Sequence, residues 1–219
     1  IPLYVPDEMR HPDPKMACIN TIEHLDAEVG RLLKTLDDLK LTERTYVIYT
    51  SDNGPWLVHE HHAGSAEPFR EGKLSTYEGG HRAPCLIRGP GIPAGTVSDG
   101  LTTAMDVLPT LAEIIGAPLP TKNRIDGVSC WSLWNGTAKE SPRNEFLYYK
   151  MSGELAGLRQ GNWKLLQATR RGKELFDLAE DPGETTNLAR KPGTEATVEA
   201  HRDMLREWIS QTNDKFSIT

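Results

Sequence analysis

YTSDNGPW, residues 49–56, sets how the rest of the chain is read. The run Val47-Ile48-Tyr49-Thr50 is fit for a buried strand, and it stops at Asp52-Asn53-Gly54. Taken alone, Asp-Asn-Gly is turn chemistry: Asp and Asn bond their own backbone, and Gly takes positive φ freely. The other reading is a ligand pair. In parallel α/β sheets, sites form beyond the carboxyl ends of the strands. A carboxylate beside an amide carbonyl at such an end suits a hard cation that wants oxygen ligands, calcium or magnesium. Two oxygen ligands are too few for either ion, so the rest of the shell must come from elsewhere.

Working outward, residues 15–39 read as a helix, with Ile22, Leu25, Val29, Leu32, Leu33 and Leu36 at three- and four-residue steps. A short link, Leu41 to Arg44, leads into a strand over 45–50. A helix feeding a buried strand is the rhythm of an α/β domain. Residues 1–14, rich in proline, read as extended entry chain. Residues 53–82 read as a long irregular loop holding four histidines, and such loops in compact domains are functional or disordered. APCLIR, 83–88, is a strand candidate. A second amphipathic helix runs over Ala104–Ile115; Pro109 in its first turn places the helix proper near Asp106, and Gly116 is its stop.

From about residue 120 the texture changes. Short apolar runs at 145–149, 155–159, 163–167 and 173–177 alternate with Gly, Asn and charged turns, which predicts a small antiparallel sheet. Residues 195–211 predict a closing helix with Val198, Met204, Leu205, Trp208 and Ile209 on one side. His201 reads as a surface residue and Trp131 as a core one. The expected division is 1–120 and 121–219.

The 219 residues suffice for one core, or a core plus a small subdomain. With 37% hydrophobic and 26% charged residues, the composition is that of a soluble globular protein. A net charge of -6 argues against a general nucleic-acid binder, because phosphate affinity needs clustered Lys and Arg. No apolar run approaches the ~20 residues of a membrane span. Cys18, Cys85 and Cys130 lack CxxC spacing, which argues against zinc or a redox motif, and the odd count forbids complete internal pairing. Asn135-Gly136-Thr137 is a glycosylation acceptor triplet, relevant only in a secretory eukaryotic setting.

The ligand pair gains meaning beside GKLSTYEGGHRAP, residues 72–84. Lys73 alone reads as a solvated group, and Glu78-Gly79-Gly80 alone as a turn. Together with Asp52 and Asn53 they suit an oxyanion, with a metal neutralising it from one side and an ammonium reaching it from the other. YTSDNG, GKLSTYEGGHRAP, TTAMDVLPTLAEIIGAPLP (102–120) and WKLL…ELFDLAEDPGETTNLA (163–189) follow in that order. In this the chain resembles the sulfatases, in particular the arylsulfatases of the alkaline-phosphatase-like superfamily, over nearly its whole length.

The resemblance implies an α/β fold: a partial mixed, largely parallel sheet with flanking helices, plus a small C-terminal antiparallel sheet with one helix. It implies that Asp52 and Asn53 bind a divalent ion, Ca2+ by preference, and that Lys73 contacts the sulfate ester and the catalytic aldehyde hydrate. It places His62 on the approach to the pocket as a substrate contact, although a lone histidine there also reads as a surface group. Trp56, His59, His61 and Phe69 are further candidates for the pocket wall. Gly79, Gly80 and Arg82 take structural roles, with Arg82 paired to a nearby carboxylate.

The chain also departs from the family pattern. None of its cysteines stands in a Cys-x-Pro-x-Arg frame, whose Cys or Ser becomes the formylglycine nucleophile, and the early Asp-Asp metal pair is missing. Ile1-Pro2 matches the end of the family's His-x-Pro motif. The expectation is therefore the carboxy-terminal portion of a sulfatase, inactive alone, with an incomplete calcium shell and a missing N-terminal part as partner. Sulfated glycans or aryl sulfates are the implied substrates, and a periplasmic, lysosomal or secreted location is implied. Two alternatives stay open: a related phosphate or phosphonate ester hydrolase, and a non-catalytic half that assembles with a separate N-terminal chain.

Overall fold

The structure is a computed structural model that describes residues 10–169 and 171–212. The Ile1-Pro2 match and most of the extended entry lie outside the described residues. The expected elements form close to their expected bounds. Helix α1, Pro14–Asp38, starts where Pro14 supplies a fixed φ and the Asp13 carboxylate accepts from the Lys15 N–H at 2.9 Å. Strand β1, Val47–Thr50, follows. A four-residue helix α2, Glu78–His81, ends the long loop, and β2, Cys85–Arg88, leaves it. Helix α3, Val107–Ile115, is preceded by a 3-10 turn whose Thr103 and Asp106 form a reciprocal capping box, and Gly116 closes it at φ 67°. A short α4, Trp131–Trp134, leads to β3, Glu145–Tyr149, β4, Leu155–Gln160, β5, Trp163–Thr169, and β6, Gly172–Asp177. Helix α5, Glu195–Thr212, ends the described chain.

The class is α/β, with one detail that corrects the sequence reading. A largely parallel first sheet was expected, but β1 and β2 pair antiparallel, Val47 opposite Arg88 and Thr50 opposite Cys85. A parallel partner requires a crossover that carries the chain back to the start of the strand. Here the 51–84 segment leaves and returns at the same end, so the chain re-enters running the other way. Strands β3 to β6 form an antiparallel meander in sequence order, as the turn spacing predicted.

The meander is covered on both faces, and its period-2 alternation sorts the residues. Leu158, Leu165 and Leu175 face α5, where Val198 and Leu205 complete a buried cluster. Tyr148, Leu166 and Phe176 face the other way and meet Tyr77, which precedes α2. His201 is buried, not on the surface: its ring nitrogens lie 2.8 Å from Thr197 O and 3.3 Å from Trp163 O. Its spacing from Val198 and Leu205 puts it in the stripe that α5 turns toward the sheet.

Candidate active site

The end of β1 is built into a double loop. The Ser51 hydroxyl bonds Asn53 O at 3.0 Å and tightens the turn after the strand. The Gly54 N–H then bonds Gly80 O at 3.0 Å, and the Lys73 N–H bonds Pro55 O at 2.9 Å. These two bonds lock the Asp52–Gly54 turn to the segment that carries Lys73 and α2. The approach is close enough that a Cβ at position 54 would lie 1.7 Å from Gly79 O, so only glycine fits there.

Asp52 is exposed at the strand tip and Asn53 is half-buried beside it. Among the described residues neither side chain is engaged by another group, so the Asp52 carboxylate and the single Asn53 amide oxygen stay available. Lys73 is exposed, with its Nζ 5.7 Å from the centroid of the Trp56 ring. Trp56 meets His59 edge-on at 4.7 Å, and His59 lies 5.3 Å from half-buried His62. Asn53, Gly54, Phe69, Gly79 and Arg82 line a cleft of about 540 Å³. Asp52, Lys73 and His62 do not line that cleft. The His61 side chain lies outside what is described.

Two oxygen donors suit part of a hard-cation shell. Among the described residues no group of three or more His, Cys, Asp and Glu side chains converges to complete one. The fit is that of a partial shell. Cys18, Cys85 and Cys130 are free thiols, and Cys130 is buried. Burial first, then the Asp106 charge, pushes its thiol up to about 11, far from a reactive thiolate.

Arg82 departs from its expected role. Its guanidinium sits 4.6 Å from the Phe69 ring, and among the described residues it pairs with no carboxylate. The charged residue of the motif that does structural work is Glu78, which is buried. Its Oε1 accepts from Lys164 Nζ at 2.9 Å and from the Tyr148 hydroxyl at 2.9 Å, and Arg159 lies 3.6 Å from its Oε2. Lys164 Nζ also lies 2.8 Å from Glu184 Oε1, a charge contact whose angle falls short of a hydrogen bond. Glu184 Oε2 accepts the Glu78 N–H at 2.6 Å. Burial pushes the Glu78 carboxyl up, but Lys164 with Tyr148 and Arg159 outweighs it and the net shift is downward. For Glu184 burial wins over Lys164, and the net shift is upward.

Beside this cluster the Tyr77 hydroxyl donates to Glu174, and Arg70 stacks 3.8 Å from the Tyr77 ring. Burial and then Glu174 push the Tyr77 phenol up to about 12, so it stays a donor. A second buried pair joins Asp106 to Arg143 at 2.6 Å. Asp106 also accepts the Thr103 and Val128 N–H groups, each within 3 Å (2.8 and 2.9 Å). The sequence reading assigned no role to Lys164, Glu184, Asp106 or Arg143. A signal for Lys164 existed: it stands two before Leu166, on the same face of β5, between the apolar Trp163 and Leu165.

A four-stranded meander capped by one helix, beside a helix-fed strand ending in an oxygen-donor turn locked to a lysine segment, defines the architecture to be matched. The family profile described as Sulfatase matches residues 13–117, and that described as N-sulphoglucosamine sulphohydrolase, C-terminal, matches residues 72–211. The chain belongs to the sulfatase family. It is similar to arylsulfatase A of Homo sapiens, 36% identical over 77% of this chain and 38% of that protein. It is similar also to choline-sulfatase of Rhizobium meliloti, 34% identical over 87% of this chain and 36% of that protein. The crystal structure of Ps i-CgsB superposes with a TM-score of 0.80 at 25% identity, over 95% of this chain and 47% of that one. The chain therefore spans little more than a third of the length of these curated relatives.

Proposed function

We propose that this chain is the carboxy-terminal portion of a sulfatase that hydrolyses sulfate esters, sulfated glycans or aryl sulfates, in a compartment outside the cytoplasm. The observation that carries the reading is the interlock at the end of β1. Two backbone bonds, Gly54 to Gly80 and Lys73 to Pro55, hold Asp52 and Asn53 beside the segment that carries Lys73. In this reading Asp52 and Asn53 give two oxygen ligands to a divalent ion, Ca2+, which when bound would neutralise charge on sulfate oxygens. The Lys73 ammonium contacts the sulfate from its own side, and His62, stacked beyond Trp56 and His59, is a substrate contact. The nucleophile is a formylglycine, and no residue of this chain can become one, since no Cys or Ser stands in the required frame.

The division falls near residue 120, with a catalytic α/β portion before it and the meander after it. The amino-terminal portion of the relatives' fold would cover the surface that the first part leaves open. Ile22 and Leu32 on α1 are 60% and 54% exposed, and the β1–β2 pair has two open edges, features that invite a partner. Among the described residues no helix is long and apolar enough to cross a membrane.

The test uses 4-nitrophenyl sulfate. The 219-residue chain alone should give no turnover and bind calcium only weakly. A polypeptide that joins this sequence to a Cys- or Ser-x-Pro-x-Arg segment of the family should hydrolyse the ester, and Lys73→Ala there should lower kcat/KM by about a hundredfold or more. Metal-dependent turnover by the isolated chain, or a preference of the joined polypeptide for 4-nitrophenyl phosphate, would refute the reading.

A further inference from the structure

We infer that Lys164, on the carboxy-terminal meander, is a positioning residue for the Asp52–Asn53 turn and for Lys73: it fixes the α2 turn on which both are hung. The inference rests on the proposed sulfatase reading for its purpose, though not for its geometry.

The path is continuous. Lys164 is fully buried, and its ammonium touches Glu78 and Glu184 at 2.9 and 2.8 Å. Glu78 is the first residue of α2, and Glu184 accepts that residue's own N–H, so one lysine holds the start of α2 by side chain and by backbone. From the other side Arg70 donates to Glu184 O at 3.0 Å, while its own carbonyl accepts the Gly79 N–H at 3.0 Å. Gly80 O then receives the Gly54 N–H, one residue after Asn53. Lys73 belongs to the same packed loop: a Cβ on Gly80 would lie 2.6 Å from Gly72 O, and Lys73 bonds Pro55 O.

An ion cluster is an uneconomical way to fill this face of the sheet. Buried pairs give weak net stabilisation, and well-packed apolar residues of the same volume do as well or better. What charged groups add is direction: the bonds to Glu78 from Lys164 and Tyr148, and from the Glu78 N–H to Glu184, each fix an angle as well as a distance. Tyr148 and Phe176 on the same sheet face already supply apolar contact to Tyr77. The cluster adds orientation of α2, and through α2 the spacing between the turn and the lysine.

Amide hydrogen exchange on the 219-residue chain, without ion or substrate, tests this. In Lys164→Met, which keeps side-chain length, the amides of Gly54, Lys73, Gly79 and Gly80 should exchange at least about tenfold faster, while those of β4 and α5 stay within about twofold. Glu184→Gln keeps an acceptor for the Glu78 N–H and removes only the charge. It should accelerate the same four amides by a smaller factor, and it carries the test if Lys164→Met does not fold. Unchanged exchange at those amides in a folded variant overturns the inference. Equal acceleration throughout β4 and α5 also overturns it, because that is loss of stability without loss of position. Since the assay contains no substrate, failure of the sulfatase reading in the turnover experiment would leave this result standing.

Discussion

Helices α1 and α5 carry the same kind of apolar stripe and meet different fates. Along α1 only Ala17 is buried, and Ile22, Leu25 and Leu32 stand in solvent. Along α5, Val198, His201 and Leu205 are buried against the meander. A stripe at helical spacing states that a face wants cover; it does not supply the cover. The meander covers α5 within this chain, whereas β1 and β2 are two strands against a helix of seven turns (25 residues) and cannot cover α1. The two regions are nevertheless joined by buried charge, Glu78 with Lys164 and Asp106 with Arg143.

The largest effect should come from cutting one of those seams. Arg143→Met leaves the Asp106 carboxylate, 0% exposed, without its counter-charge, and should cost about 3–5 kcal/mol in urea unfolding. A loss under 1 kcal/mol, roughly that of an exposed pair, would show that the backbone N–H groups alone satisfy Asp106. Next comes the contrast between the stripes. Leu165→Ala, at a fully buried position facing α5, should cost about 2–5 kcal/mol, while Leu32→Ala on α1 should change stability by about 0.5 kcal/mol or less. Similar losses at both sites would mean that α1 is covered in solution, and sedimentation would then show a dimer or larger species.

The smallest effect is on pH dependence. Burial alone would raise the Asp106 carboxyl, but Arg143 and the Val128 and Thr103 N–H groups outweigh it and hold it below the usual carboxylate range. The unfolded chain therefore takes up that proton first. The stabilisation is complete above the ordinary Asp value of about 3.9 and is lost as pH falls through the lower folded value. The urea midpoint should drop between about pH 5 and pH 3, and Asp106→Asn should flatten that drop while lowering the midpoint at neutral pH. An unchanged slope in the variant would place the acid sensitivity elsewhere.

Local signals read correctly wherever one residue's chemistry is enough. Gly116 ends α3 because an αL position suits glycine, Pro109 sits in its first turn, and the four short runs with Gly and Asn between them form the meander. The Asp52–Asn53 turn and Lys73 lie in one interlocked loop system, which the chain order of their motifs does not by itself specify. The antiparallel sense of β1 and β2 was not legible, because strand direction depends on where a 34-residue loop returns, and nothing local encodes that. Arg82 was read as an ion-pair partner although Glu78, two residues before Gly80, holds the buried charge. Which side of a four-residue helix faces the meander depends on a sheet some 70 residues downstream.

By itself the sequence determined the elements, their caps and stops, the residue types at the end of β1 and the family, since these follow from local backbone preference, hydrophobic period and motif order. Only the tertiary structure decided which stripe is covered, which way β2 runs, and that Lys164 from the meander and Glu184 from the segment after it grip the turn behind Asp52, Asn53 and Lys73. Those outcomes depend on contacts between residues far apart in the chain. Their geometry is fixed when two faces pack together, and no local stretch of sequence carries that information.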